Sequence, residues 1–400
     1  MAKSADKTIV YVTRDLERAL GPQTTVASYF IITNSTPFAK EMSSVHQNII
    51  LVNSTEILDT HELLAHPDTE KFLNTLTSPL LLVFKNTSTI EHICETHGWQ
   101  LLNPPAKLAN QIEEKISQVE WLGDLARFLP KHQIQLLKDV QFTGESFILQ
   151  FNRAHTGNGT ILIDNKNTLR ELSEKFPERP VRVTAFVSGT MITSNNVVFK
   201  DTVLVGNPNV QITGLVPFTD KPFATVGNDW ALGKAILNEL QLIQYKEIVM
   251  SIGEKLRTSG WCGLFGTDIM LANTGELYLI EINARQPAGT TFESQLQQSH
   301  TTFDAHLLSL LGEKAANQTL TSITDGAQIV LRNQSTQFSE SCLTLFCERL
   351  KTAGFTITRY QNSEPGTDLV RIQSANGIMS TPTSYNEIGE SIVQALHCSL

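Results

Sequence analysis

GLFGTDIMLANTGELYLIEINARQPAGT, Gly263 to Thr290, is the stretch that decides the fold. Two apolar segments, Gly263–Met270 and Glu276–Asn283, flank Asn273-Thr274-Gly275, a tripeptide that favours a tight hairpin turn. Asp268 lies on the first segment. Glu281 and Asn283 lie on the second, where a side-chain period of two points both to one face. Folding the hairpin sets Asp268 across from Glu281. Ile280 and Ile282 read as core residues on the other face, so Glu281 and Asn283 stand in an otherwise buried segment. A charge there is costly unless it is paired or bound to a cation. Two carboxylates and an amide oxygen are hard donors, which suit Mg2+ bridged to phosphates, and Mn2+ fits the same set. Arg285 continues that face, and its rigid fork suits a phosphoryl group or a developing oxyanion. Arg257 precedes the hairpin and is a candidate to line the site. Its other natural place is the last turn of a helix, where a cation is favoured.

Working outward, Trp230–Arg257 has helical periodicity, as one helix or two, and Phe303–Leu311 is helical. Upstream, Ser146–Gln150 and Thr160–Ile163 read as strands around a glycine-bearing turn, Ala154–Thr160. Gly157 and Gly159 there permit close backbone approach to an anion, and His155, Thr156 and Thr160 add donors. Neither GxGxxG nor the GKS/T loop is present, so a dinucleotide fold or a P-loop is not indicated. Val181–Val187 is a further strand, and Gln111–Phe128 shows helix spacing at Ile112, Ile116, Val119, Leu122 and Leu125. Thr8–Thr13, Tyr29–Thr33, Asn48–Asn53 and Pro79–Phe84 are apolar on both faces, the pattern of a parallel sheet covered by helices. Asn196–Val205 and Val210–Val216 are strand candidates, and the chain from Gly326 reads as strands and two helices. The segment 205–230 is rich in Asn, Gly, Thr and Pro. Asn228, Asp229 and Trp230 are specificity candidates within it, with Asp229 also placed to cap a helix.

With 400 residues, 41% of them hydrophobic, the chain is expected to form two or three packed domains. A formal charge of -9 and no Lys/Arg cluster argue against a duplex nucleic-acid partner. No run has the length of a membrane span, and MAKSADKTIVYVTRDLERAL does not read as a signal peptide. The cysteines, at 94, 262, 342, 347 and 398, are scattered without a CxxC pair. That fits a reducing, cytoplasmic setting rather than a disulfide or zinc scaffold. No GxSxG or HExxH motif is present, which removes the usual signals of a serine or zinc hydrolase.

The glycine-led strand, acid, turn glycine, E-I-N and following arginine of Gly263–Thr290 resemble the magnesium-binding hairpin of the ATP-grasp superfamily, which includes biotin carboxylase and bacterial L-amino acid ligases. The resemblance implies that Asp268, Glu281 and Asn283 hold the metal, and that Arg285 touches the transferred phosphoryl group or the acyl substrate. Glu114-Lys115-Ile116 is similar to a segment whose lysine, here Lys115, reaches the nucleotide phosphates. Phe147–Thr160 resembles the strand and glycine loop over the triphosphate, with Gln150 where many members carry a lysine. Val181–Gly189 resembles the hinge strand lining the adenine. Thr184 and Ala185 stand where acids are usual, and the backbone of Phe186 and Val187 remains able to read the base. Gln211 falls where some members place a polar residue near the active centre. These similarities cover roughly 103–311.

The resemblance implies an ATP-grasp fold of mixed α/β and α+β domains: an N-terminal Rossmann-like domain (1–110), a linker helix and small subdomain (111–190), a large subdomain with the metal hairpin (191–325) and a C-terminal α+β lobe (326–400). It further implies an ATP- and magnesium-dependent ligase that joins a small-molecule carboxylate to an amine through an acyl phosphate, as a homodimer in some members. Alternatives are a biotin-carboxylase-like carboxylating enzyme and a nucleotide-binding regulatory protein with reduced catalysis.

Overall fold

The computed structural model describes residues 7–22, 26–152, 160–316, 318–333, 338–360 and 365–397. Near the N-terminus, β1 (Thr8–Val12), β2 (Ser28–Asn34), β3 (Ile49–Val52), β4 (Leu80–Val83) and β5 (Gln100–Leu101) form a sheet in the order β3-β2-β1-β4-β5. Every pairing is parallel. Ile9, Val10, Tyr11 and Val12 are all fully buried, as strands covered on both faces must be.

A second sheet, antiparallel, is built from β6 (His132–Leu136), β7 (Phe147–Phe151), β8 (Thr160–Ile163) and β9 (Pro180–Ala185) in the order β6-β9-β7-β8. The largest sheet contains β10 (Gly189–Val198), β11 (Val203–Leu204), β12 (Asn209–Thr213), β13 (Thr225–Asp229), β14 (Gly263–Ala272), β15 (Leu277–Asn283), β16 (Ala327–Arg332), β17 (Thr356–Arg359) and β18 (Asp368–Ser374). Its order is β15-β14-β10-β12-β13-β16-β18-β17, so the C-terminal strands extend the sheet that carries the hairpin.

One face of that sheet is covered by the helix Glu239–Thr258, whose Tyr245, Ile248, Val249, Ile252 and Leu256 are fully buried against Phe265, Ile269 and Leu279. Asn238 starts this helix with a reciprocal cap. Its Oδ1 accepts from Gln241 N (2.9 Å), and Gln241 Oε1 accepts from Asn238 N (3.1 Å). The helix Thr302–Leu310 ties the large sheet to the parallel one, placing Phe303 and Leu307 among Ile9, Tyr11 and Leu82. Among the described residues no helix is long and apolar enough to cross a membrane.

Two elements differ from the sequence reading. The long helix expected over 111–128 is broken: Ala106–Glu113, then Ser117–Leu122, then a 3-10 turn Gly123–Phe128. At the break Glu114 turns extended (φ -70°, ψ 130°). Lys115 N and Ile116 N donate to the carbonyl (3.4 Å) and side-chain oxygen (2.9 Å) of Asn152 rather than to helical carbonyls. The strand expected over 196–205 is instead the end of β10, a turn and the two-residue β11.

The hairpin begins at Gly263, whose φ of +81° suits glycine, and a Cβ there would lie 2.6 Å from His306 Nδ1. His306 is buried, its pKa pushed down to about 3 by burial, and its Nδ1 accepts from Leu264 N at 3.0 Å. Gly263→Ala is therefore expected to cost about 2 kcal/mol, from unfavourable φ and overpacking together. A chemical-denaturation midpoint unchanged from the wild type would refute that account.

Candidate functional site

The hairpin pairs Asp268 directly with Glu281, and the register then skips a residue, so that Ile269 pairs with Leu279. Ile280 is thus the extra residue of a β-bulge. By strict alternation Glu281 would share a face with the buried Leu277 and Leu279. The bulge turns Glu281 and Asn283 to the opposite face, the re-aiming that bulges perform. Ile280, expected in the core, is accordingly only half-buried, whereas Ile282 is fully buried.

On that face the polar side chains converge. Asn283 Nδ2 donates to Asp268 Oδ2 at 3.2 Å, and Gln211 Nε2, from β12, donates to Asp268 Oδ1 at 2.9 Å. Lys115 Nζ, delivered by the helix break, lies 2.8 Å from Glu281 Oε1. Burial, and then the charge of Glu281, push the Asp268 carboxyl up to about 6. Burial acts on Glu281 in the same sense. The Lys115 ammonium at 2.8 Å, with the charges of Arg285 and Arg182, outweighs it and holds Glu281 below its ordinary range. Asp268 is the less ionised partner of the pair because Lys115 sits on Glu281.

Among the described residues no group of three or more His, Cys, Asp or Glu side chains converges; the cluster is two carboxylates with an amide. Its oxygens are hard donors, and its two acids oppose each other. That arrangement fits Mg2+, since a divalent cation between them would remove the repulsion that raises Asp268.

Arg285 is ion-paired to Glu113, the last residue of the helix Ala106–Glu113, and Lys85, just beyond β4, bonds the other Glu113 oxygen at 2.5 Å. The chain then runs along the ends of the parallel strands: Gln286 accepts from Tyr11 Oη (2.8 Å) and donates to Arg18 O (2.7 Å). The N-terminal sheet thereby brings Lys85 to the cluster.

In the small sheet, Gln150 pairs in register with both Thr160 and Arg182. Arg182 is 2% exposed and donates from Nε to Gln150 Oε1 at 2.8 Å and from Nη1 to Gln118 Oε1 at 3.3 Å. Burial lowers its pKa to about 10, partly offset by the charge of Glu281, so it stays cationic at neutral pH. Thr184 is buried, its Oγ1 3.5 Å from Gln150 Oε1, while Phe186 is exposed and Val187 half-buried beyond the end of β9. His155, Thr156, Gly157 and Gly159 lie outside the described residues.

Arg257 is not at the site. It ends the helix Glu239–Thr258, pairs with Glu254 (2.7 Å) and donates to Lys200 O (3.4 Å). Lys200 follows β10, whose last residue, Val198, pairs with Gly263, whereas Asp268 pairs with Thr193. Five residues along a strand is about 17 Å. The helix C-terminus and the i,i+3 carboxylate satisfy this cation. Asp229 and Trp230 likewise have structural surroundings: Asp229 is fully buried and caps the helix Trp230–Ile236, and Trp230 packs edge-on to Phe292. Asn228 bonds Asn209 at 2.8 Å.

Sequence reasoning passed over Arg182, Glu113, Lys85 and Gln118. For Arg182 a signal existed, a lone arginine between Val181 and Val183 in an apolar strand.

No protein-family model matches the chain, nor does any curated protein by sequence. Solved structures do match over its whole length. N5-carboxyaminoimidazole synthetase from Staphylococcus aureus, complexed with ADP, is 12% identical with a TM-score of 0.67, covering 99% of this chain and 98% of that one. N5-carboxyaminoimidazole synthase from Aspergillus clavatus, in complex with ADP and 5-aminoimidazole ribonucleotide, is 14% identical with a TM-score of 0.68, covering 98% of each chain. L-amino acid ligase from Bacillus licheniformis is 12% identical with a TM-score of 0.66, covering 99% and 98%.

The chain has the ATP-grasp fold. Within the ATP-grasp fold, the acids of the hairpin, Lys115 of the broken helix and Arg182 of the small sheet are close enough for their charges to act on one another.

Proposed function

We propose that this chain is an ATP-dependent carboxylate–amine ligase. The observation that carries the reading is the facing pair Asp268–Glu281, with Asn283 and Gln211 on Asp268 and Lys115 on Glu281. Two opposed acids ringed by cationic and amide side chains suit a divalent cation beside a polyanion better than they suit a packing role.

In this reading a substrate carboxylate oxygen attacks the terminal phosphorus of ATP, giving an acyl phosphate and ADP, and an amine then displaces phosphate. Asp268, Glu281 and Asn283 would hold Mg2+, which when bound supplies charge neutralisation on the phosphates. Lys115 carries a point charge to the same place. Arg285, paired with Glu113, would turn its fork to the acyl oxyanion. Positioning and charge account for the rate; no residue forms a covalent bond to substrate. Gln150, Thr160, Thr184 and the backbone of Phe186 and Val187 border the nucleotide.

A screen for ADP release with Mg-ATP tests the assignment, using amino acids and small carboxylates paired with amines. Parallel arms contain bicarbonate with and without 5-aminoimidazole ribonucleotide. Release that needs both a carboxylate and an amine is expected. Release driven by bicarbonate would replace the reading with a carboxylating one, and nucleotide binding with no release in any arm would leave a regulatory protein.

The raised Asp268 carboxyl gives a pH prediction. Its proton is favoured up to about pH 6, so below that value Mg2+ must displace it. Apparent Mg2+ affinity, measured calorimetrically, should weaken as pH falls from about 7 to about 5 and level off above about 7. A flat profile across that window would remove Asp268 from the ligand set.

A further inference from the structure

We infer that the buried guanidinium of Arg182, seated by the amides of Gln150 and Gln118, is an anion site that takes a phosphate group of the bound nucleotide. The inference rests on the nucleotide-binding reading above and names a residue for it.

Arg182 is 2% exposed, Gln150 4% and Gln118 fully buried. The two hydrogen bonds that Arg182 makes among the described residues end on neutral oxygens, and no described carboxylate lies in ion-pair range of it. Glu281, whose charge reaches Arg182, is already taken by Lys115 at 2.8 Å. A buried charge whose direct contacts are amides, with the acid it senses already paired to Lys115, has no ion-pair partner of its own, and the protein interior penalises that state. The amides orient the cation without neutralising it.

Their orientation is itself fixed. Gln118 Nε2 donates to Ile112 O at 2.8 Å, which turns Oε1 toward Arg182. Gln150 Oε1 accepts from both Arg182 and Thr184. With Nε and Nη1 held in this way, Nη2 makes no hydrogen bond among the described residues. The guanidinium fork matches phosphoryl oxygens, and a preset fork loses little freedom on binding.

The neutral residue at 150 follows from the same geometry. Gln150 and Arg182 are register partners on β7 and β9. A lysine at 150 would put two cations side by side and remove the acceptor that seats Arg182. The pair thus carries one cation and one amide, with the cation on β9.

The test measures binding of a fluorescent ADP analogue, inorganic tripolyphosphate and adenosine to the full chain in Mg2+. The variants are Arg182→Met, Arg182→Gln and the exchange Gln150→Lys with Arg182→Gln. The neutral variants should lose about tenfold or more in affinity for ADP and tripolyphosphate, with adenosine unchanged. The exchange should return tripolyphosphate binding to within about threefold of wild type. A folded neutral variant that binds ADP and tripolyphosphate as wild type does would overturn the Arg182 site and leave the nucleotide reading standing. Wild-type protein that binds neither would overturn both. Should the neutral variants fail to fold, Arg182→Lys decides, since it keeps the charge and loses the fork: tripolyphosphate binding weakened about threefold or more with adenosine unchanged supports the site, and wild-type binding of tripolyphosphate overturns it.

Discussion

Glu281→Gln is expected to lower ADP release on the order of a thousandfold while leaving the fold intact. The substitution keeps the volume and removes the charge that Lys115 contacts at 2.8 Å and that faces Asp268 across the strand pair. Three consequences separate it from a packing defect. First, the Glu281 side chain lies on the polar face, and glutamine keeps its volume and an oxygen acceptor for the largely buried Lys115 ammonium, so little packing is lost and the melting temperature should move by only a few degrees. Second, the repulsion from Glu281 that helps raise Asp268 disappears, so the Asp268 carboxyl should titrate lower in the variant than at about 6. Third, Mg2+ affinity should fall with turnover, because an amide oxygen is a weaker ligand than a carboxylate. Near-normal release with a working substrate pair would end the metal role of this hairpin.

The fold was legible where local chemistry and tertiary placement agree. The first four strands of the parallel sheet were readable from the sequence because strands buried on both faces are apolar throughout; β5, two residues long, carries no such signal. The hairpin was readable because Asn273-Thr274-Gly275 sets the turn, with Gly275 at φ +97°, and the turn sets the pairing of Asp268 with Glu281. The bulge at Ile280 was not readable. Leu277, Leu279 and Glu281 alternate in sequence as if on one face, and only the register against β14 shows the skipped residue. Lys115 sits in a run with helical spacing, yet the Asn152 amide and carbonyl capture its neighbourhood and break the helix. That is a contact across the fold, invisible to periodicity. Arg182 was missed for a related reason: its partners, Gln150 and Gln118, come from a neighbouring strand and a distant helix. Arg257 was misplaced because closeness in sequence to the hairpin says nothing about which end of β10 the helix reaches. Gln211, weakly indicated by position, bonds directly to Asp268.

Asp229→Ala is expected to be the most destabilising of these substitutions, at about 3 kcal/mol or more, without altering the substrate KM of surviving folded protein. The carboxylate is fully buried and accepts three backbone N–H groups: Leu232 N on one oxygen (2.8 Å), and Ile378 N (2.7 Å) and Met379 N (3.0 Å) on the other. The first bond caps the helix Trp230–Ile236; the other two fasten the segment after β18 to the end of β13. A cap alone is worth about 1 kcal/mol. Each buried donor left without a partner costs about 1–3 kcal/mol, lessened where water enters the space. Asp325 is engaged separately, receiving Gly377 N (2.5 Å) and Gly326 N (2.9 Å) on one oxygen. Asp229→Asn keeps one acceptor oxygen and should fall between alanine and wild type. Denaturant unfolding measures the loss, and limited proteolysis should find the chain near Ile378 cut first, because the clamp there is local. A loss below about 1 kcal/mol, or a raised KM at full stability, would return Asp229 to the specificity role that its loop suggested.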